Sequence, residues 1–245
     1  MNQKFHIFPH NNVILKNADI LIEKFWDSFH AARTVKPTDL KIFLNERLKR
    51  YVEYMLHTTV LDIGCGKGDN IPYLSQLFKN IHGCDLSKNV LLAAKNNFPS
   101  ATFKKSTLTN LPYPEGFFDC VCLVKTISVT FDAYYVAALI TQIERVLNKN
   151  GFLFIVDFCY DEKFENRYER ISVPYNTEYV EYNFYKPDWS DVHFIHFKPE
   201  SLLAVVGTNF QLLEMEDIML KSVNDNDSSG KIYLFQKNIS LKLSL

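Results

Sequence analysis

The sequence predicts an α/β fold: a doubly wound, seven-stranded, mostly parallel sheet whose last strand runs antiparallel, with N-terminal helices and an insertion after the fifth strand. Three observations carry that prediction. Apolar strand-like segments alternate with amphipathic helix-like ones from residue 58 onward, the pattern of a parallel sheet covered on both faces. The passage VLDIGCGKGDN, residues 60–70, runs from an apolar strand through three glycines into a helix-like segment. The last two strands are joined by KSVNDNDSSG, a polar connection too short for a crossover helix, so they pair antiparallel.

One domain is expected over residues 1–245, organised as an N-terminal arm and helices (1–55), a core (56–158), an insertion (159–198) and a C-terminal helix with a strand hairpin (199–245). After a loose opening arm, Ala18–Arg33 places Leu21, Ile22, Phe25, Trp26 and Phe29 along one helical side. Pro37-Thr38-Asp39 reads as a helix start, because Thr38 or Asp39 can cap free backbone donors. Leu40, Leu44, Leu48, Tyr51, Val52 and Met55 follow at helical spacing and give that helix an apolar face. Strands are expected at 58–63, 80–84, 101–104, 117–124, 151–158, 210–218 and 231–236, and helices between them at 69–79, 87–97, 133–148 and 199–207. Asp69 is placed to cap the first of these helices, and Gly151 to stop the one ending near Leu147.

Composition narrows the function classes. The net charge of −1 gives no footprint for a polyanionic partner, so no nucleic acid is expected. No segment approaches the ~18 apolar residues of a membrane span. The start lacks a long apolar stretch ending in a small-residue cleavage site, so a cytoplasmic location away from the membrane is expected. The five cysteines form an odd set without a CxxC pair, which argues against a disulfide framework or a zinc site, and no metal is expected. Cys120 and Cys122, two apart in an apolar run, share one face of a strand as small buried residues.

Gly64, Gly66 and Gly68 sit where a strand turns into a helix, where glycine permits unusual backbone angles and a close ligand approach. The second strand ends in HGCDLS, with Asp85 just past its apolar part and 21 residues beyond Gly64. An acidic residue at about that spacing meets ribose hydroxyls in Rossmann-type folds. Turn and acid together point to a nucleoside cofactor at the carboxyl ends of the strands. The dinucleotide fingerprint GxGxxG requires glycine at position 69, where this chain has aspartate. A carboxylate there opposes a pyrophosphate at a helix N-terminus, so NAD and FAD are disfavoured.

VLDIGCGKGDN resembles the first motif of class I S-adenosylmethionine-dependent methyltransferases, with Asp62, Gly64, Gly66 and Gly68 in its fixed places and Cys65 inside it. GCDLS is similar to the second motif, which implies that Asp85 holds the ribose hydroxyls and that Leu86 lies against the adenine. LTNLPYPEGFFDCVCL, IERVLNKNGFLFIVDF and HFKPESLLAVVGTNFQLLEME resemble the family's passages through the fourth, fifth and sixth strands. The resemblance covers roughly residues 55–220. It implies the seven-stranded sheet, S-adenosylmethionine as cofactor and S-adenosylhomocysteine as product. Thr107 and Leu108 stand where the family often has Asp-Ala beside the adenine, and Lys125 and Thr126 fall near the cofactor's methionine end.

Methyl transfer from a sulfonium is an in-line displacement, so the protein mainly supplies position, orientation and exclusion of water. An amine or phenol acceptor also has a proton to lose, and histidine suits that task. His193 and His196 are the candidates; three apart in a strand, they face opposite ways. Trp26, Tyr175, Tyr179, Tyr182, Tyr185 and Trp189 are candidate walls of an acceptor pocket, with the alternative that such aromatics pack the insertion onto the sheet. The N-terminal segment bearing Trp26 is the expected helical lid, with Arg33 near the cofactor carboxylate. The Asn/Asp-Pro-Pro-Tyr/Phe segment of DNA amino-methylating enzymes is absent after the fourth strand, and no cysteine follows a proline as cytosine-carbon methylation commonly needs. The expectation is a methyltransferase acting on the O or N atom of a small molecule. The alternatives are a protein or RNA methyltransferase, or a cofactor-binding or scaffolding module of the same fold.

Overall fold

The structure is a computed structural model that describes residues 23, 24, 26, 27, 47–55, 58–129, 133–172, 178–182, 194–221 and 227–238. Ten strands occur among them: β1 Thr59–Ile63, β2 Asn80–Asp85, β3 Thr102–Lys105, β4 Phe118–Val124, β5 Leu147–Phe158, β6 Tyr168–Ser172, β7 Glu178–Tyr182, β8 Phe194–His196, β9 Phe210–Lys221 and β10 Asp227–Lys237. Four helices lie between them: α1 Ile71–Leu74, α2 Lys88–Asn97, α3 Ala133–Val146 and α4 Pro199–Val206. Residues 23, 24, 26, 27 and 47–52 are helical as well.

Seven strands form one sheet in the order β3-β2-β1-β4-β5-β10-β9. β1 to β5 pair in parallel, whereas β10 is antiparallel to both β5 and β9. This is the expected sheet with its antiparallel last strand. The insertion after β5 forms a separate antiparallel sheet in the order β6-β7-β8.

The alternation of side chains along each strand divides the core in two. Leu61, Val121, Leu123, Leu153, Ile155, Tyr233 and Phe235 join one cluster with residues of α3 and α4. Their neighbours Val60, Cys120, Cys122, Phe154, Val156, Ile232 and Leu234 face the other cluster, with Leu48, Leu74 and Phe78. The central strands are therefore apolar on both faces, as a doubly covered parallel sheet demands. All five cysteines are buried free thiols, and the Cys120 and Cys122 sulfurs lie 4.0 Å apart on one face of β4. Among the described residues no helix is long and apolar enough to cross a membrane.

Two polar clamps fix the amino-terminal side of the sheet. The buried Asp119 carboxylate accepts the Thr59 N–H at 2.7 Å, the Thr59 hydroxyl at 2.9 Å and the Asn148 amide at 2.7 Å. Arg145, at the end of α3, donates to the Tyr113 and Leu111 carbonyls at 2.7 and 2.8 Å, pinning the segment that leads into β4.

Three local expectations are corrected. The helix expected over 69–79 reduces to α1, after which residues 75–77 continue as turns and the Lys79 and Asn80 N–H groups go to the Thr58 carbonyl. Asp69 does not cap α1: Asn70 holds the N-cap position without a side-chain cap bond, because its amide is committed elsewhere. Gly151 does not stop a helix, because α3 ends at Val146 and β5 starts at once. Phe118 pairs with Leu147 but Cys120 pairs with Phe152, so Asn148–Gly151 form a bulge tied down by Asn148.

Candidate functional site

Strand order reverses between β1 and β4, and the glycine turn follows β1 at that switch point, where open α/β sheets bind their ligands. Gly64, Gly66 and Gly68 all have positive φ (70°, 55° and 89°), which explains glycine at each place. The Gly64 and Cys65 N–H groups donate to the Cys84 carbonyl at 2.8 and 3.1 Å, folding the turn back over the end of β2. There the Asp85 carboxylate accepts the Gly66 N–H at 3.1 Å and the Ser87 N–H at 2.9 Å. The two halves expected of a nucleoside site, glycine turn and acid, are thus one hydrogen-bonded unit. Leu86 is half-buried beside it. Ser106, which donates its N–H to the Asp85 carbonyl at 3.0 Å, brings Thr107 and Leu108 to the same end of β2 and β3.

Asp62 lies on the face of β1 toward α1 and opposite Cys122 of β4. It is 1% exposed, and the Asn70 amide spans both its oxygens at 3.3 and 3.2 Å. Burial pushes its carboxyl up to about 7; the Asn70 hydrogen bond opposes that rise, and Asp69 and Asp85 reinforce it. Burial also raises Asp85, against the pull of the Ser87, Gly66 and Leu86 N–H groups, with Asp27 adding to the rise.

Beyond β4, Lys125 has φ 54° and donates its N–H to the Val156 carbonyl at 2.7 Å. That left-handed residue swings Thr126 back under the glycine turn, where its hydroxyl donates to the Ile63 carbonyl at 2.9 Å. The Lys125 ammonium points away along the sheet, to the Lys221 carbonyl at 3.0 Å and over the Phe158 ring. The next turn is held by buried Asp157, whose carboxylate accepts the Ile127 and Ser128 N–H groups at 2.6 and 3.2 Å.

The described part of the N-terminal helix meets this end of the sheet. Asp27 accepts from the Ser87 hydroxyl and, at 3.0 Å, from the Asn89 amide, and Glu23 pairs with Lys105 at 2.6 Å. Half-buried Trp26 lies between these two anchors in sequence. Phe25, Phe29 and Arg33 lie outside the described residues, as do Tyr175, Tyr185, Trp189 and His193. The backbone puts Tyr179 and Tyr182 in β7. His196 is 3% exposed and stacks on Phe158 with ring centroids 5.2 Å apart. Burial pulls its imidazole down to about 4, only partly offset by a hydrogen bond to the Cys159 backbone. Those contacts are a packing environment.

A cavity of about 780 Å³ opens beside the carboxyl end of β5, between the start of α4 and the β9–β10 pair. Tyr160, Lys163, Lys198, Met219 and Lys231 are among its walls. That volume is within the range of small-molecule sites, ~300–1,000 Å³. Among the described residues, no group of three or more His, Cys, Asp and Glu is placed to hold a metal ion.

Sequence reasoning missed Asn70, Asp27, Ser87 and Asp157. Ser87 had a local signal, since a serine just after a strand-end Asp and before a helix-like run is an N-cap, and its hydroxyl accepts the Val90 N–H at 3.0 Å. Asp27 and Asp157 act through contacts between distant segments, and Asn70 through a contact that the turn creates by folding it back on Asp62.

A glycine turn locked to a strand-end acid at the switch point defines a Rossmann-like nucleoside-cofactor site. Residues 61–155 match the sequence family described as "Methyltransferase domain". An uncharacterized methyltransferase from Synechocystis is 35% identical over 98 residues, 40% of this chain and 46% of that protein. A fatty-acid O-methyltransferase from Mycolicibacterium smegmatis is 26% identical over 137 residues, 49% of this chain and 48% of the relative. A ubiquinone/menaquinone biosynthesis C-methyltransferase from Campylobacter jejuni is 30% identical over 111 residues, 42% of this chain and 46% of the relative. The chain thus spans about half the length of the curated relatives it matches. The crystal structure of a SAM-dependent methyltransferase from Methanosarcina mazei shares the fold, with a TM-score of 0.66 at 19% identity over 78% of this chain and 98% of that one. One from Clostridium acetobutylicum gives 0.63 at 17% identity over 93% and 100%. The match over residues 61–155 is to a methyltransferase domain, and the solved structures that share the fold are S-adenosylmethionine-dependent methyltransferases, which makes S-adenosylmethionine the cofactor to test against this site.

The residues present fit that cofactor. Asp85 is an acceptor suited to ribose hydroxyls, and its two backbone bonds leave lone pairs on both oxygens. Asp69, at the position where a dinucleotide site requires glycine, puts an acidic side chain where a pyrophosphate would lie.

Proposed function

We propose that this protein is an enzyme that transfers the methyl group of S-adenosylmethionine to an O or N atom of a small molecule. The observation that carries the reading is the Gly66–Asp85 hydrogen bond at 3.1 Å, which makes one rigid unit of the turn and the acid. The name of the fatty-acid O-methyltransferase relative supports a small acceptor. The cofactor, when bound, supplies a methyl group activated as a sulfonium substituent. This chain's residues then bind and orient. Asp85 would hold the ribose hydroxyls, the glycine turn would receive the amino-acid end, and Thr126 would keep the turn in shape from below. Rate enhancement would come from alignment and from exclusion of water.

Titration calorimetry with S-adenosylmethionine and S-adenosylhomocysteine tests the binding half. No heat from either at millimolar concentration overturns the reading. Formation of S-adenosylhomocysteine on a panel of carboxylic acids, phenols and amines tests the transfer half. Binding without turnover anywhere on the panel would favour the scaffolding alternative. Product methylated on carbon would move this protein toward the C-methyltransferase relative.

A further inference from the structure

The described part of the N-terminal helix turns one face inward. Glu23, Trp26 and Asp27 are half-buried, whereas Lys24 is exposed. Positions three and four apart share a side of a helix, so Trp26 faces the same way as Glu23 and Asp27. Both of those acids are anchored, and both anchors adjoin Asp85. Lys105, which pairs with Glu23 at 2.6 Å, is the register partner of Asp85 on β3. Ser87, whose hydroxyl donates to Asp27, gives its own N–H to the Asp85 carboxylate at 2.9 Å. Asp27 also stands close enough for its charge to act on Asp85.

Four helical steps rise only about 6 Å, so the two anchors bracket Asp85 and bring Trp26 to the same carboxyl ends of β2 and β3. Asp85 and Leu86 are half-buried there, so the helix covers the acid without sealing it. Ser87 is the node of the arrangement. It is fully buried, caps α2 through the Val90 N–H at 3.0 Å, and joins Asp27 to Asp85.

We propose that this helix roofs the nucleoside half of the cofactor site, with Trp26 a cofactor-contacting residue and Asp27 a positioning residue that holds the roof through Ser87. The assignment moves Trp26 from the acceptor pocket to the methyl donor. An indole laid on a nucleoside contributes by stacking, a contact made with donor and product alike. Exchange of the nucleoside then requires the helix to lift, so the Asp27–Ser87 bond governs how long it stays. This inference rests on the methyltransferase reading above, in which Asp85 holds the ribose.

The chain has two tryptophans, so Trp189→Phe leaves Trp26 as the sole indole emitter. S-adenosylhomocysteine and adenosine should both quench that emission, and methionine, which lacks the nucleoside, should not. Should Trp189→Phe fail to fold, the difference between the wild type and Trp26→Phe gives the same signal. By calorimetry, Trp26→Ala should weaken S-adenosylhomocysteine binding about tenfold. Asp27→Ala should weaken it by about the same factor, with the change in the dissociation rate. Asp27→Asn keeps an acceptor for the Ser87 hydroxyl and should restore affinity to within about threefold of the wild type, which a general disturbance of the helix would not allow. Calorimetric binding without quenching, unchanged affinity in both alanine variants, or an Asp27→Asn as weak as Asp27→Ala overturns the inference and leaves the functional reading standing. A wild type that binds neither donor nor product overturns the functional reading, and this inference with it.

Discussion

No side chain fits at position 64, because the Thr126 hydroxyl oxygen lies 2.7 Å from where its first carbon would stand. The end of β4 thus gauges the turn after β1, and the two strands on either side of the switch point are fitted to each other. Gly64→Ala meets that oxygen and also the cost of φ 70° for a side-chain-bearing residue. We expect a loss of about 2–4 kcal/mol in urea denaturation, together with weaker cofactor binding. An unchanged midpoint would mean that the turn relaxes without cost.

Asp85→Asn keeps the shape of the strand end and removes its charge. Cofactor affinity should fall by roughly 100-fold, the order of losing charged hydrogen bonds to two hydroxyls. The far-UV circular dichroism spectrum should be that of the wild type. Unchanged affinity would sink the ribose assignment.

The opposite separation is expected at Asp119, another buried carboxylate of the sheet. It sits at the amino end of β4, away from the site, and joins β1 to the bulge of β5. Asp119→Ala leaves the Thr59 N–H and the Asn148 amide without their acceptor. Stability should drop by about 2–4 kcal/mol, whereas cofactor affinity at a temperature where the variant is folded should stay within about twofold, since direct contact is absent.

His196 gives a prediction in pH. Its ordinary value is 6.5, and in the folded protein it falls to about 4. Below pH 6.5 the unfolded chain takes up a proton that the folded one refuses, so stability should decline as pH falls from 6.5 toward 4. The full loss is about 3 kcal/mol. His196→Phe, stacked on Phe158 in the same way, should flatten that part of the stability profile and leave turnover largely intact. A turnover loss of tenfold or more with the stability retained would give the imidazole a chemical role.

The sheet was legible because its central strands are continuous apolar runs, buried on both faces and set between helix-like segments. Val60 and Leu61, or Cys122 and Leu123, declare opposite faces by adjacency alone. The glycine turn and Asp85 were legible for a related reason, since positive φ and strand-end acids leave a residue-type signature at fixed spacing. Asn70 carried no such mark. An asparagine before Ile-Pro reads as a helix start, and only the fold brings it against Asp62. Asp27 and Ser87 meet across sixty residues of chain. Gly151 was misread because a glycine after an amphipathic helix looks the same whether it ends the helix or sits in a bulge. Register with β4 decides between them.

The buried thiols give this protein an internal chronometer. Cys65 and Cys84 lie at the cofactor turn, Cys120 and Cys122 in the middle of β4, and Cys159 where β5 leaves the sheet, and all are closed to solvent. A thiol reagent can reach each only when its own neighbourhood opens, so five modification rates under native conditions would rank the opening of turn, sheet centre and insertion junction. If the cofactor binds at the turn, it should slow Cys65 and Cys84 most. Whether the protein breathes at its site or unfolds as a whole could then be read from one unmodified sequence, without adding a probe.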